Sequence, residues 1–191
     1  NGRPTRWAAK GLLADVHLGR DEWSQAAAKA KEVIDSGRFS LVQVDDPSDF
    51  HQIFGPEVDK TSEEIFDISF TRQDPFGFEL PSHFAASGSG YAARENYALF
   101  AGGDATWLFE WDPEDLRQGF NLYVGDDARY LTREWPQLFK KYVDTEATQR
   151  PGNGNDLPIL RYPDMLLVYA EATAMANGGP TAESYDAVNQ V

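Results

Sequence analysis

Two stretches of the chain carry apolar residues at helical spacing, and the long stretch between them does not. Trp7, Gly11, Ala14 and Leu18 recur at steps of four, three and four, one face of a helix running from Pro4 to Leu18. Gly19 stops it. Asp21 then reads as an N-cap, with Glu22 favourable in the first turn. Trp23, Ala26, Ala27, Ala30, Val33 and Ile34 continue at helical spacing until Ser36-Gly37. Two helices joined by a few residues make an αα-hairpin, and small alanines let the two backbones approach closely. The far end repeats the plan. Pro163 opens a helix whose stripe is Leu166, Leu167, Ala170, Thr173 and Ala174, and Asn177-Gly178-Gly179-Pro180 ends it. Thr181 caps a last helix, with Tyr185 and Val188 on its inner face. The expected architecture is mostly α: tetratricopeptide-like helix pairs over 4–37 and 158–191, forming a scaffold around a loop-rich, ligand-facing segment over 38–157 that carries short strands and short helices. The last helix, cut short at its inner face by Val191, and the opening Asn1-Gly2-Arg3-Pro4 suggest one partial domain, an internal piece of something longer.

The middle breaks the helical period. Phe66, Ile68 and Phe70 alternate with Asp67 and Ser69, a short strand with its apolar face on the even positions. Arg72 to Tyr91 reads as loop, punctuated by Pro75, Gly77, Pro81, Gly88 and Gly90. Asp112-Pro113-Glu114 is a helix start, with Asp112 as cap. Gly152-Asn153-Gly154-Asn155 reads as a turn or mobile loop.

Aromatic density is what distinguishes this middle. Phe76, Phe78, Phe84, Tyr91, Tyr97, Phe100, Trp107, Phe109, Trp111, Phe120, Tyr123, Tyr130 and Trp135 crowd a segment poor in aliphatics. Most of these rings are core filler on general grounds, as are Trp7 and Trp23 on their helix faces. A ring left exposed offers a flat platform for a sugar face, and nearby Asp, Asn and Arg can bond the hydroxyls. Trp107, Phe109 and Trp111 fall at i, i+2 and i+4, so the two tryptophans share a face in a strand and in a helix alike. The candidate ligand-binding residues are therefore Trp107 and Trp111 as platforms, then Tyr91 and Phe76, with Arg72, Asp74 and Asn96 as hydroxyl partners.

Charge and composition narrow the function classes. Of 191 residues, 31 are acidic and 17 basic, a formal charge of −14, which runs against nucleic-acid binding through phosphate neutralisation. The chain has no cysteine, so disulfides and thiolate-held metals are excluded. With 41% hydrophobic and 13% aromatic residues it can build a core. No apolar run approaches the roughly 20 residues of a membrane-spanning helix.

Catalytic and metal signatures are missing. His17, His51 and His83 show no metal-ligand spacing, and His17 reads as a surface or packing residue. Gly88-Ser89-Gly90 lacks the spacing of a nucleophile elbow. Asp45, Asp46 and Asp49, like Asp126 and Asp127, lack the ligand spacing of a calcium loop and read as solvated acids. A glycosidase needs two carboxylates flanking a bond, and no pair stands out. The expectation is no catalytic residue, no metal site and no cofactor.

One stretch resembles a known family closely. Leu157–Ala172 (LPILRYPDMLLVYAEA) resembles a hallmark of the SusD/RagB family, roughly P-I-L-R-Y-A-D-hydrophobic-L-L-hydrophobic-Y-A-E-A, departing at Pro163 where Ala is usual. Ser184–Val191 is similar to the family's next helix. Ala8, Leu12, Leu13, Ala14, Trp23, Ala26, Ala30, Val33, Ile34, Ser36 and Gly37 fit its first helix pair. Glu64-Ile65-Phe66 and Gly125-Asp126-Asp127-Ala128-Arg129 fit its intervening landmarks, all in the family's order. The resemblance implies a Bacteroidetes outer-membrane lipoprotein on the cell-surface face, held by a lipid anchor that this chain lacks. It implies a non-catalytic protein that binds glycans through aromatic loops for uptake through a SusC-like TonB-dependent transporter. Arg161, Tyr162 and Asp164 belong to the scaffold in this reading, with Arg161 bonding a carboxylate or a helix end. The alternatives are a peptide ligand within the same family, a scaffold for transporter contact alone, and, further off, a glycoside hydrolase.

Overall fold

The protein is described here by a computed structural model covering residues 3–83, 110–124, 137–148 and 152–191. The described elements are mostly helical, and the chain divides into two units. Unit 1 joins Asn1–Val42, Lys60–Ile68 and Pro158–Val191; unit 2 joins Gln43–Asp59 and Ser69–Leu157.

Small side chains close unit 1. Helix α1 (Arg6–Leu18) is capped by Thr5, whose Oγ1 accepts from the Ala8 N–H at 3.2 Å. It buries Ala8, Gly11 and Ala14, while helix α2 (Trp23–Ile34) buries Ala26, Ala30 and Val33. The pair forms as the spacing predicts, with Trp7, Leu18 and Ile34 packed at the edges of the cluster. Its start differs in detail. Asp21 occupies the left-handed region (φ 59°), so Glu22 and not Asp21 sits at the N-cap of α2, without a side-chain cap bond. Glu22 instead takes His17 Nδ1 at 2.5 Å and Arg20 Nε at 2.8 Å, and these two hydrogen bonds hold its carboxyl below the ordinary value.

Helix α5 (Tyr162–Ala176) lies against both helices of the first pair, and α6 (Ala182–Val188) packs on α5. Helix α5 buries Pro163, Met165, Leu166, Val168, Ala170 and Ala172, whereas Leu167 is exposed, contrary to the expected stripe. The inner face of α6 also differs from expectation. Ser184 and Ala187 face inward, and Tyr185 and Val188 are exposed, because the close approach to α5 admits only small side chains. Thr181 does cap α6: its Oγ1 accepts from the Ser184 N–H at 3.2 Å. Strand β1 (Glu64–Ile68) pairs with β4 (Leu157–Arg161). Here Ile65 is the buried residue and Ile68 is exposed, so the strand turns its odd positions inward, opposite to the expectation. Phe66 is half-buried and packs on the cluster's edge, and Phe70 lies beyond the strand.

Gly11 marks the tightest approach. A Cβ there would fall far inside van der Waals contact of Leu160 Cδ2 and 3.2 Å from Met165 Sδ. Gly11→Ala would add about 1 kcal/mol of helix propensity. The overpacking should win, for a net loss of about 1–3 kcal/mol by urea denaturation. A stabilised variant would contradict the packing described.

Unit 2 is held by rings. Phe50 and Phe120 lie 5.2 Å apart, Phe54 lies 5.8 Å from both Phe120 and Tyr142, Tyr142 lies 5.2 Å from Phe78, and Phe78 stacks on Phe70 at 4.7 Å. Each such contact adds about 0.5–1.5 kcal/mol beyond its buried area. A 3₁₀ turn, Pro47–Phe50, runs into α3 (His51–Phe54) and brings Phe50 and Phe54 to this stack. Asp46 caps the turn through the Ser48 N–H at 2.8 Å, and Asp49 accepts from the Asp45 and Asp46 N–H groups at 3.0 Å. These acids serve as caps. Helix α4 (Leu116–Asn121) starts one turn later than Asp112-Pro113 suggests, because Asp115 is its cap and Asp112 closes the preceding turn by accepting from the Glu114 N–H at 2.9 Å. It leads into β2 (Leu122–Val124), antiparallel to β3 (Gln137–Phe139), with Leu122 opposite Phe139.

Candidate functional site

Gly152–Asn155, which the sequence marks as a turn or mobile loop, forms with Asp156 the seam of unit 2. Asn153 and Asn155 are fully buried. Asn155 Nδ2 donates to the Phe54 carbonyl at 2.8 Å and the Val143 carbonyl at 3.2 Å. Asn153 Nδ2 donates to the Tyr142 carbonyl at 3.2 Å, and the Asn153 carbonyl accepts from the Phe78 N–H at 2.7 Å. Asp156 Oδ1 accepts from the Phe70 N–H at 2.8 Å. Side-chain amides are suited to this task, since each satisfies backbone carbonyls that no ladder reaches.

The seam fixes both ends of the loop between Phe70 and Phe78. These two residues stack at its base, and the Thr71 N–H donates to the Phe76 carbonyl at 2.9 Å across it. Asp74, Pro75 and Phe76 form the exposed tip, and the Phe76 ring is 65% exposed. A phenylalanine so placed contributes nothing to the core.

Arg72 anchors the same loop. Its Nε reaches both carboxylate oxygens of Asp144 (3.1 and 2.9 Å), and Nη2 reaches Asp144 Oδ1 at 2.9 Å. Asp144 is 1% exposed, and it also accepts from the N–H groups of Gly154 (2.9 Å) and Glu146 (3.1 Å). Burial pushes its carboxyl up, but the Arg72 hydrogen bonds and charge and these two N–H groups outweigh burial and hold it below the ordinary value. Two further carboxylates complete the cluster, Glu57 at 2.6 Å from Nη2 and Glu146 at 3.1 Å from Nη1. Gly154 fits because a Cβ there would come within 3.3 Å of Arg72 Cγ. A recess of about 370 Å³ opens beside the cluster, and a second of about 260 Å³ is lined by Pro47, Phe120 and Lys140 among others; His51 and Val143 line both.

Of the residues singled out from sequence, Arg72, Asp74 and Phe76 come together on one anchored loop. Arg72 is engaged by three carboxylates, and Asp74 is exposed beside the tip. Trp111 is half-buried and hydrogen-bonds Asp115, whose carboxyl the Arg117 contacts, with Trp111 adding to them, hold well below the ordinary value. Trp107, Tyr91 and Asn96 lie outside the described residues. Asp144, Glu57 and Glu146 escaped sequence reading, as no local pattern marks a carboxylate that pairs with an arginine 72 positions away. Among the described residues no group of three or more His, Asp or Glu is placed to hold a metal ion, and no helix is long and apolar enough to cross a membrane.

Comparison with known proteins places the chain. A curated relative, SusD-like protein P25 of Formosa agariphila, is 23% identical over 231 aligned residues, spanning all of this chain and 41% of the relative. The crystal structure of a SusD superfamily protein from Parabacteroides distasonis superposes with a TM-score of 0.75 at 26% identity, covering 100% of this chain and 44% of that one. Surface glycan-binding protein A from Bacteroides thetaiotaomicron, solved in complex with laminarihexaose, shares the fold with a TM-score of 0.74 at 18% identity, covering 99% and 47%. This chain thus spans less than half the length of each of these relatives. The SusD family model matches residues 84–191, which include all of the hallmark stretch and the last helix pair. With more than half of its residues matched, the chain belongs to the SusD family.

Proposed function

We propose that this chain is part of a non-catalytic, cell-surface glycan-binding protein that hands oligosaccharide to a TonB-dependent transporter in the outer membrane. One observation carries the binding reading: in a chain of this family, an anchored loop holds an exposed phenylalanine away from the core. Water disfavours an exposed ring, and stacking on the apolar face of a sugar relieves that cost. Phe76 serves as one platform, with Trp111, Trp107 and Tyr91 as others, and Asp74, Asn96 and Arg72 supply hydroxyl contacts. Each contact is shallow, so affinity accumulates over several sugar units.

Affinity gel electrophoresis over laminarin, pullulan, mannan, xylan and alginate, beside a non-binding control protein, tests this. Laminarin comes first because a structural relative was solved with laminarihexaose. At least one polymer should retard the chain. Phe76→Ala should weaken that binding about tenfold, the size of an aromatic hot-spot truncation, with the unfolding midpoint unchanged. Trp107→Ala and Trp111→Ala should each weaken it too. Retardation by no polymer would overturn the reading and favour a peptide ligand. Release of reducing sugar would make the protein a hydrolase.

A further inference from the structure

The larger recess, a groove beside Arg72, has His51 and Val143 in its lining, and these two residues also line the smaller recess. At about 370 Å³ the groove is at the small end of ligand clefts, suited to a sugar ring or two. Its polar groups have an unusual balance. Glu57, Asp144 and Glu146 face Arg72, three carboxylates against one cation, a local excess of −2. The chain as a whole carries −14, so the long-range field has the same sign.

We infer that this groove accepts an uncharged, hydroxyl-rich chain and rejects uronates and sulfate esters, with Glu57 and Glu146 as the discriminating residues around a fixed Arg72 donor. The inference rests on the glycan-binding reading and specifies the ligand class. Asp144 is buried and does not leave the guanidinium. Glu57 and Glu146 are each 74% exposed, and exposed ion pairs of this kind are weak. They swing away from Arg72 at little cost and leave its N–H groups to a ligand. A carboxylate only accepts hydrogen bonds and a guanidinium only donates, whereas a hydroxyl does both. A neutral sugar therefore satisfies Arg72 and the displaced glutamates together. An anionic group reaches Arg72 as well, but it then faces the glutamates and Asp144 with no proton to offer.

The test pairs each backbone with its charged derivative: laminarin, mannan and pullulan, unmodified and carboxymethylated, in affinity electrophoresis of the full chain at 0.15 M NaCl. An unmodified polymer should bind at least about tenfold more tightly than its carboxymethylated form. In the Glu57→Gln/Glu146→Gln variant, whose exposed positions spare the fold, the gap should shrink to about threefold or less. It should also shrink in wild type at 1 M NaCl, where the screening length falls to about 3 Å. Equal or tighter binding of the carboxymethylated form would overturn the inference and leave the glycan reading standing. So would a gap that persists unchanged in the double variant, which would assign the discrimination to something other than Glu57 and Glu146. Retardation by neither form of any backbone would overturn the glycan reading itself, and this inference with it.

Discussion

Asp144→Ala should cost about 3 kcal/mol of stability, among the largest losses for any substitution outside the apolar core. The carboxylate is buried and receives five hydrogen bonds, three from Arg72 and one each from the Gly154 and Glu146 N–H groups. Alanine leaves the two N–H groups without that acceptor and strips Arg72 of its only buried counter-charge among the described residues. Glu57 and Glu146 remain, but each is exposed and its pair with Arg72 is worth about 1 kcal/mol at most. Asp144→Asn should do little better, because its amide turns a donor toward groups that only donate. Urea denaturation reads the loss as a lower midpoint at unchanged slope. At this chain length it corresponds to about 6–12 °C in Tm. A loss under about 1 kcal/mol would mean that the cluster does not hold the loop.

The pH dependence has a fixed sign. The folded-state pKa of Asp144 lies below its unfolded value. Its contribution is therefore fully present above the unfolded value of about 3.9 and is lost as pH falls through the lower folded pKa. Arg72 stays charged throughout. Wild type should lose stability below about pH 4 more steeply than Asp144→Ala, and the two curves should converge in acid.

How much was legible beforehand follows from the range of the interactions. The first helix pair was readable because Gly11, Ala14, Ala26, Ala30 and Val33 report a local period, and the structure buries all five. The hallmark left Arg161 to bond a carboxylate or a helix end, and Glu63 supplies the carboxylate. The Gly-Asn-Gly-Asn segment has the composition of a turn, while its partners are remote: Asn155 reaches Phe54 across 101 positions. Ile65 and Phe66 are both apolar, so alternation alone could not tell which faced inward. On α6 the choice between Ala187 and Tyr185 depended on the distance to α5, which hydrophobicity does not encode. At the candidate site the exposed ring and its flanking polar residues were visible as composition. The carboxylates that organise Arg72 come from distant segments and were not.

The second large effect is expected at Glu63, and it separates scaffold from site. Glu63 is 3% exposed; Oε2 accepts from Arg161 Nη1 at 2.9 Å and Oε1 from the Val42 N–H at 2.9 Å. Its own carbonyl accepts from the Tyr162 N–H at 2.7 Å, at the start of α5. Asp164 Oδ2 meanwhile takes the Arg161 N–H at 2.6 Å. One carboxylate thus joins the segment ending at Val42, the entry to β1, and the junction of β4 with α5. Arg161→Met leaves the buried Glu63 carboxylate without that counter-charge and should cost about 3 kcal/mol, and Glu63→Gln should cost less, because the Arg161 side chain is a quarter exposed. Replacing both should cost less than the sum by at least about 1.5 kcal/mol, since neither charge is then stranded. A double variant that simply adds would mean that the two residues act separately. Neither single change should alter glycan affinity once the folded fraction is accounted for, because the pair lies in unit 1 and Phe76 in unit 2. Phe76→Ala should do the reverse, losing affinity at constant stability. If Arg161→Met weakened binding in a fully folded sample, Arg161 would be part of the ligand site and the hallmark would carry function as well as fold.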